Sequence, residues 1–324
     1  MDCFIGIDIS KARLDVCVWP TCELRTFGND AAGVAEFVTY ARDLDPNLVA
    51  FEHTGRLSRD LIDQLVGEGI PSVLVDPRKV RAFATVVGRE AKTDKLDATL
   101  IARFSALVRP NLSRIATTEA HELQELITRR VQIVAERRRE LTRRTQQSGT
   151  FCVTSIDRHL AWLKDEAGSL EGEIRKRVAE RPEWRRRFEL LTSMPGIGPA
   201  VAHTLIAHLP ELGHHDARRI VGLIGLAPVA RESGTVIHRR RTGYGRIHVR
   251  TALFMASVVA TRYNPVIRSF HARLTEAGKP KMVARVAAMR KMLTILNTMI
   301  RNDTPWSEDA AERNTRAGAR DEEA

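Results

Sequence analysis

Two aspartates three residues apart, Asp94 and Asp97, are the residues of this sequence best placed to do chemistry. They open a segment with helical spacing that continues through Leu100 and Phe104, and positions i and i+3 of a helix share one face. Both carboxylates could therefore face one metal ion. The same pattern is also typical of an ordinary helix N-terminus, where acids cap free N–H groups and interact favourably with the helix dipole.

Two further acids lie at the ends of apolar runs upstream. Asp8 belongs to the run at residues 3–9, and Glu52 directly follows the run at 48–51. Taken singly, each is equally typical of a polar strand end or a surface acid. Together, four carboxylates could hold two Mg²⁺ ions about 4 Å apart and clamp the attacking and leaving oxygens of a phosphodiester displacement. Mg²⁺ prefers oxygen ligands, and Mn²⁺ is expected to substitute for it.

The elements that must position these acids predict an α/β domain of the ribonuclease H-like type. Three strands joined by tight turns precede a helix–strand–helix–strand–helix series. The strands are expected at 3–9, 14–19, 23–27, 48–51 and 72–75, and the helices at 31–43, 57–66 and 77–87. Actin-like kinases share this core, but they need a glycine-containing phosphate loop after the first Asp, and residues 10–13 (SKAR) contain no glycine.

The composition favours a polyanionic partner in a reducing compartment. The 324 residues suffice for two or three domains, and the net charge of +11 makes nucleic acid the first candidate partner. Of 51 basic residues only nine are lysine, and arginine suits bidentate phosphate contacts. The four cysteines lack zinc-like spacing and are expected to be buried free thiols. No leader or membrane-length apolar run is evident, so a cytoplasmic location without membrane contact is expected.

A helical, coiled-coil-like arm is expected at 113–188. Ile127, Val134 and Leu141 repeat every seven residues, but the seam is poor because Arg130 occupies one of its inner positions. The many arginines of this segment fit a solvated face and a phosphate-tracking face equally well. The arm could also serve in oligomerisation.

The segment 189–306 contains two possible nucleic-acid contacts. Gly196 and Gly198, in PGIGP between two helical runs, predict a helix-hairpin-helix element that binds a phosphate backbone, or else an ordinary helix–helix turn. Farther on, Ser233 lies in a basic loop as either a nucleophile or a turn serine, and from the residues alone the turn is favoured. The candidate phosphate contacts in this loop are Arg239, Arg240, Arg241 and Arg246. Two apolar helices are expected to form the core, and the tail at 307–324 is expected to be disordered.

These motifs together resemble the transposases of the insertion-sequence-110 family, the DEDD/serine recombinases. The likeness spans almost the whole chain. Its pieces occur in the family's order: GIDIS with Asp8, FEHTG with Glu52, KTDKLDA with Asp94 and Asp97, PGIGP, and GLAP followed by RESG with Ser233.

The resemblance implies that Asp8, Glu52, Asp94 and Asp97 bind metal and that Ser233 is the nucleophile, which reverses the interpretation from the residues alone. It further implies a covalent serine–DNA intermediate. The acids of one subunit would face the serine of another in a homodimer or homotetramer. A structured guide RNA from the element, the bridge RNA, would select the DNA by base pairing.

The sequence thus predicts a ribonuclease H-like DEDD domain at 1–112, the arm at 113–188, a mostly α-helical transposase domain at 189–306 and the tail. The predicted function is Mg²⁺-dependent DNA cleavage and strand exchange. Two alternatives stay open: a junction-resolving nuclease of the same fold that uses metal-activated water, and a non-catalytic nucleic-acid-binding protein.

Overall fold

The apolar runs near the N-terminus form a five-stranded mixed sheet with strand order β3-β2-β1-β4-β5. The strands are β1 (Phe4–Ile9), β2 (Arg13–Trp19), β3 (Glu23–Gly28), β4 (Leu48–Glu52) and β5 (Ser72–Val75). β1 pairs antiparallel with β2 and parallel with β4, and β4 pairs parallel with β5. This confirms the predicted mixed α/β class and is compatible with a ribonuclease H-like DEDD domain.

The chain divides into two compact units, Met1–His121 and Glu122–Ala324. The computed structural model describes residues 2–52, 55–88, 94–110, 118–227, 232–233, 236–237, 242–243 and 245–308, without the side chains of 55–56, 94–96, 232–233 and 236–237. Apart from the first residues of the arm, the predicted arm and transposase domain both lie in the second unit. Their boundaries stay predictions. Most of the predicted disordered tail lies outside the described residues.

In the part of the first unit that the structure describes, four α-helices accompany the sheet. They are α1 (Ala31–Leu44), α2 (Arg59–Gly67), α3 (Pro77–Val86) and α4 (Asp94–Val108), with a short 3-10 helix at Gly55–Ser58. Asp30 and Asp76 begin α1 and α3 by accepting hydrogen bonds from the N–H groups of Gly33 and Arg78, each at 2.9 Å. The helices predicted before position 88 are all present, and the acidic segment is helical from Asp94.

Alternation along β1 separates two apolar layers. Ile5, Ile7 and Ile9 belong to one layer, which includes Phe37 of α1 and Leu61 of α2. Phe4 points to the opposite face, where the second layer contains residues of α3 and α4. Because both faces are covered, this domain has a core on each side of the sheet.

Gly6 lets α4 lie directly on β1. A Cβ atom at Gly6 would lie 2.2 Å from the amide nitrogen of Ala102 and 2.3 Å from the carbonyl oxygen of Ala98. At the other end, Arg109 just past α4 pairs with Asp2 just before β1, at 2.5 Å. The helix therefore runs antiparallel to the strand, and its N-terminal turn lies toward the C-terminal end of β1.

The second unit is helical within its described part, apart from a two-strand ladder. Its elements are α5 (Thr118–Thr145), α6 (Thr150–Glu180), α7 (Pro182–Ser193), α8 (Pro199–His208), α9 (Ala217–Leu223), β6 (Glu232–Ser233), β7 (Val236–Ile237), α10 (Ile247–Tyr263), α11 (Pro265–Glu276) and α12 (Lys281–Arg301). A core cluster joins buried residues of α5 to α12, among them Leu123, Leu205, Leu253 and Leu296. No helix of the described residues has the length and apolarity to cross a membrane.

α5 and α6 form an antiparallel pair that ion pairs link along its length. The pairs that link the two helices are Arg177–Glu122, Arg130–Glu171 and Arg144–Asp157. The predicted heptad stripe holds only at its start: Ile127 is buried, whereas Val134 and Leu141 are 43% and 42% exposed. The next buried residue of α5 after Ile127 is Ile133 rather than Val134. The buried positions of α5 therefore do not keep a strict seven-residue spacing.

The four cysteines are free thiols, as predicted, but burial was predicted for all of them and only Cys17 is fully buried. Cys22 and Cys152 are exposed because they lie in the β2–β3 turn and on the outer surface of α6.

Substituting Gly6 with alanine is expected to separate α4 from the sheet, because the added methyl group meets backbone atoms that no rotamer change can move. We expect a loss of about 3 kcal/mol in the free energy of unfolding, measured by urea titration. Gly67→Ala, where a Cβ meets nothing within 4 Å, serves as the control and should leave stability nearly unchanged. Equal stability of the two variants would contradict this packing.

Candidate active site

Asp8 and Glu52 are neighbours on adjacent parallel strands. The β1–β4 register pairs Gly6 with Ala50 and Ile7 with Phe51, so Asp8 and Glu52 follow as the next pair. Asp8 lies two residues beyond Gly6, which contacts α4, and Glu52 lies two residues beyond Ala50, which packs in the apolar layer of α4. Alternate residues of a strand share a face, so both acids are on the side of the sheet where α4 lies. Both acids are half-buried. The sheet thus places two carboxylates side by side on the face that α4 covers.

The first turn of α4 lies level with this pair of acids. Asp8 is two strand residues beyond Gly6, about 6.6 Å along β1 at ~3.3 Å per residue. An antiparallel helix covers that distance in about four residues at 1.5 Å each. Counting back four residues from the contact with Ala98 and Ala102 leads to positions 94–98. The element that carries Asp94 and Asp97 therefore meets the strand ends that carry Asp8 and Glu52.

Asp97 lies on the side of α4 that faces β4. It precedes Leu100 and Ile101 by three and four positions, and these two residues pack in the layer that contains Ala50. Asp94 lies in the same first turn, but its side chain is outside the described part of the chain. Among the described His, Cys, Asp and Glu side chains, no group of three is close enough to hold a metal ion.

Asp15 of β2 is a further carboxylate, and it belongs to none of the sequence motifs. It lies directly opposite Asp8 in the β1–β2 ladder and is 3% exposed. Thr26 Oγ1 donates a hydrogen bond to it at 2.8 Å, and Arg13 Nε donates another at 2.9 Å. These partners offset the repulsion that two acids directly opposite one another would otherwise cause. The tight turn at residues 10–12 was the signal that could have paired Asp15 with Asp8.

Ser233 lies in the short strand β6, paired antiparallel with β7 so that it is opposite Val236. Its side chain is outside the described residues, as are Gly234 and the whole of Arg239, Arg240 and Arg241. The roles predicted for these residues stay predictions.

The segment that carries Ser233 begins and ends at one place in the helical unit. A Cβ atom at Gly245, whose φ is +138°, would lie 2.6 Å from the amide nitrogen of Gly225. Only glycine allows this approach with that backbone conformation. Arg250 Nη1 also donates to the carbonyl oxygen of Ile224 at 2.9 Å. The chain between Gly225 and Gly245 is therefore a loop with a closed base.

Arg246 binds residues at the base of this loop and does not extend into solvent alone. Its two terminal nitrogens donate to the carboxylate of Glu211 at 2.6 and 2.5 Å, and one of them also donates to the carbonyl oxygen of His208 at 2.8 Å. Glu211 is buried, so the pair is a fork-to-fork contact shielded from water on the acid side. These internal contacts make Arg246 the weakest of the four predicted phosphate contacts.

Gly196 and Gly198 lie in the turn between α7 and α8. Gly196 has φ +105°, and a Cβ there would lie 2.7 Å from the Cβ of Ala260, so this glycine allows α10 to pack against the turn. Gly198 precedes α8 and is exposed, as are Pro199 and Ala200. An exposed helix N-terminus can accept a phosphate, but the turn also has a purely structural reason for its first glycine.

Two histidines of α8 are held neutral by burial. Burial lowers the pKa of His203, which stacks on Phe188, to about 4. Burial, assisted by the neighbouring His248 and Arg246, lowers the pKa of His208 to about 4 as well. His208 stacks on His248 with ring centroids 5.1 Å apart, next to the closed base of the loop.

Comparison with known proteins assigns both units to one kind of protein. Residues 5–147 match the profile of the DEDD IS110 transposases, described as a transposase, and residues 188–272 match that of the transposase IS116/IS110/IS902 family. The pilin gene-inverting protein of Moraxella bovis is 30% identical over 319 residues, covering 94% of this chain and 97% of that protein. The insertion element IS900 uncharacterized 42 kDa protein of Mycobacterium paratuberculosis is 27% identical over 302 residues, covering 86% and 72%.

Both matched profiles are those of transposases, which are enzymes that act on DNA. The chain belongs to the IS110 family of transposases. This confirms the resemblance drawn from the motifs.

Acidification is expected to destabilise the second unit through His203 and His208. Their folded pKa lies below the unfolded value of about 6.5, so the folded state binds fewer protons. Their contribution to stability is complete above pH 6.5 and is lost as the pH falls toward 4. Melting temperatures measured between pH 7.5 and 4.5 should show this slope, and it should flatten in the double variant His203→Gln/His208→Gln. An unchanged slope would contradict the assignment.

Arg246→Ala is expected to act on stability rather than on DNA affinity. It leaves the buried Glu211 carboxylate without its partner, at a cost of roughly 2–3 kcal/mol, below the full penalty because the arginine is partly exposed. Urea titration and a salt series of DNA binding measure the two effects, with the exposed Arg262→Ala as the control for a lost surface charge. A weaker salt dependence of binding at unchanged stability would instead make Arg246 a phosphate contact.

Proposed function

We propose that this transposase cuts and rejoins DNA by transesterification, with Ser233 as nucleophile and Asp8, Glu52, Asp94 and Asp97 as the metal-binding acids. The observation that carries the proposal is the alignment of α4 with β1. It brings the first turn of the helix level with two side-by-side strand acids, although the four residues are far apart in sequence. Capping of the helix N-terminus would explain acids in α4 alone, but it does not explain the acids at the ends of both neighbouring strands.

The donor set fits Mg²⁺ better than a transition metal, because it consists of carboxylates on a half-buried face with no His or Cys among them. Bound there, Mg²⁺ would neutralise phosphate charge and stabilise the attacking and leaving oxygens. Asp8 and Glu52 lie at the ends of two paired strands, while Asp94 and Asp97 belong to the first turn of α4. Rigid elements of this kind suit the octahedral geometry that Mg²⁺ demands.

The serine step balances without an external energy source. The hydroxyl oxygen of Ser233 attacks the phosphorus, the new O–P bond forms, and the bond to one deoxyribose oxygen breaks. The hydroxyl proton is lost to a base, and the departing sugar oxygen gains a proton. The phosphodiester linkage is retained on serine, so the reverse reaction with another strand end rejoins DNA. Arg239, Arg240 and Arg241 would neutralise the charge that develops on the phosphate oxygens.

The recombination partner and the assembly follow from the same likeness. The pilin gene-inverting protein is named for a DNA inversion, which requires two sites to be cut and exchanged. We infer the same two-site exchange here, with a homodimer or homotetramer in which the acids of one subunit face Ser233 of another. The guide RNA is supported by the motif resemblance and by the strong positive charge. The turn at Gly196 and Gly198 is the proposed helix-hairpin-helix contact to the DNA backbone.

A covalent adduct tests the serine step. Cells that express the chain together with the DNA flanking its gene are lysed in detergent, and DNA linked to protein is recovered and sequenced. We expect an adduct with the wild type, none with Ser233→Ala, and none with Asp97→Asn because the metal site is lost. Thr242→Ala removes another hydroxyl of the same loop and should leave the adduct intact.

If Ser233→Ala cuts DNA as well as the wild type and neither forms an adduct, the protein is a hydrolytic nuclease that uses metal-activated water. If no variant or wild type cuts DNA although all of them bind it, the chain acts as a binding protein. Sequencing the RNA that co-purifies with the wild type identifies the guide.

A further inference from the structure

Asn29 links the loops that follow the two acid-bearing strands. Its side-chain nitrogen Nδ2 donates to the carbonyl oxygen of Ser10 at 2.7 Å and to that of Leu57 at 3.1 Å. Ser10 is two residues after Asp8, and Leu57 is five residues after Glu52. One amide group therefore joins the chain just beyond each of the two acids.

The loop on the β1 side of this link is itself fixed. Ser10 N–H donates to the carbonyl oxygen of Arg13 at 3.0 Å, and the Ser10 hydroxyl donates to the same oxygen at 2.9 Å. The backbone N–H of Asn29 donates to the carbonyl oxygen of Ala12 at 3.1 Å. Asn29 thus contacts the β1–β2 turn at two points, and the same side chain also binds the 3-10 helix that follows β4.

Asn29 is in turn held by the start of α1. A Cβ atom at Gly33 would lie 2.3 Å from the carbonyl oxygen of Gly28, so the helix begins in direct contact with the end of β3. Asp30, the next residue, caps α1. A residue fixed on both sides by a strand end and a helix cap loses little further entropy when its side chain makes two hydrogen bonds.

We propose that Asn29 is a positioning residue for the metal site: it sets the spacing of Asp8 and Glu52 by fastening the loops behind them. This inference rests on the proposed function of the two acids. Neighbouring carboxylates repel each other, and the β1–β4 ladder ends at Ile7 and Phe51, one residue before the two acids. Mg²⁺ tolerates little error in ligand position, so a small change in spacing weakens binding. Asn29 supplies two N–H donors in one plane, which neither Asp nor Ala can do.

The chain contains a matched control at the opposite end of the same two strands. Asn47 Oδ1 accepts a hydrogen bond from the N–H of Cys3 at 2.7 Å, and Asn47 N–H donates to the carbonyl oxygen of Cys3 at 2.8 Å. Asn47 therefore joins the start of β1 to the start of β4, far from the acids. Asn47→Ala should affect stability much as Asn29→Ala does, without touching the metal site.

The experiment measures Mn²⁺ binding to the full chain by electron paramagnetic resonance of the free ion, beside urea titration of each variant. We expect Asn29→Ala to weaken Mn²⁺ binding by about tenfold or more, the usual effect of residues that orient metal ligands. Asn47→Ala should bind Mn²⁺ as the wild type does. Asn29→Ser, which keeps one donor, should give an intermediate affinity and provides the readout if Asn29→Ala does not fold.

Two results would overturn the inference, and they are distinguishable. Equal Mn²⁺ affinity of the wild type, Asn29→Ala or Asn29→Ser, and Asn47→Ala would refute the positioning role while leaving the metal site in place. A wild-type chain that binds no Mn²⁺, or that binds it equally well after Glu52→Gln, would refute the metal site and the role of Asn29 with it.

Discussion

Backbone-to-backbone contact between a strand and a helix is the constraint on which the first unit depends. A helix normally rests on a sheet through the side chains of both elements. At Gly6 the missing side chain, with alanines at 98 and 102 opposite it, lets α4 lie on β1 itself. The consequence reaches beyond stability, because the position of α4 along β1 determines which helical turn meets Asp8 and Glu52. A displacement of one turn, about 5.4 Å, would carry Asp94 and Asp97 away from the strand acids.

The fold of the first unit was largely predictable because its signals are local. Apolar alternation, Asp30 and Asp76 before helices, and Pro77 at a first turn each mark an element without reference to distant parts of the chain. The grouping of Asp8 and Glu52 with the acids of α4 was expected from the element order and the family likeness, and it stays a proposal. The structure adds a physical reason for the contact between α4 and β1, because Gly6 of the GIDIS motif has no side chain to keep the helix away.

What the sequence did not reveal depends on long-range packing. Asp15 belongs to none of the sequence motifs, yet it is buried opposite Asp8 because both faces of this sheet are covered. Arg246 was grouped with three other arginines of a basic loop, and its partner Glu211 lies 35 residues earlier. The seven-residue spacing of Ile127, Val134 and Leu141 predicted only a poor seam, and of the three only Ile127 is buried, while Arg130 pairs with Glu171 of the neighbouring helix. In each case the deciding neighbour is far away in sequence.

In both units, the segments that carry the proposed catalytic residues are held by contacts with residues outside those segments. In the first unit Asn29 fastens the loops behind the strand acids, and in the second the Arg246–Glu211 pair and the Gly225–Gly245 contact close the base of the loop that carries Ser233. Rigid support is what transesterification requires, since the attacking oxygen, the phosphate and the metal ligands must meet in one geometry.

Anomalous diffraction from crystals grown with Mn²⁺ tests the central claim most directly, because it locates the ion without reference to activity. The account predicts anomalous density between the C-terminal ends of β1 and β4 and the first turn of α4, within ligand distance of Asp8, Glu52 and at least one of Asp94 and Asp97. Density only elsewhere on the chain, or none there at saturating Mn²⁺, would contradict it.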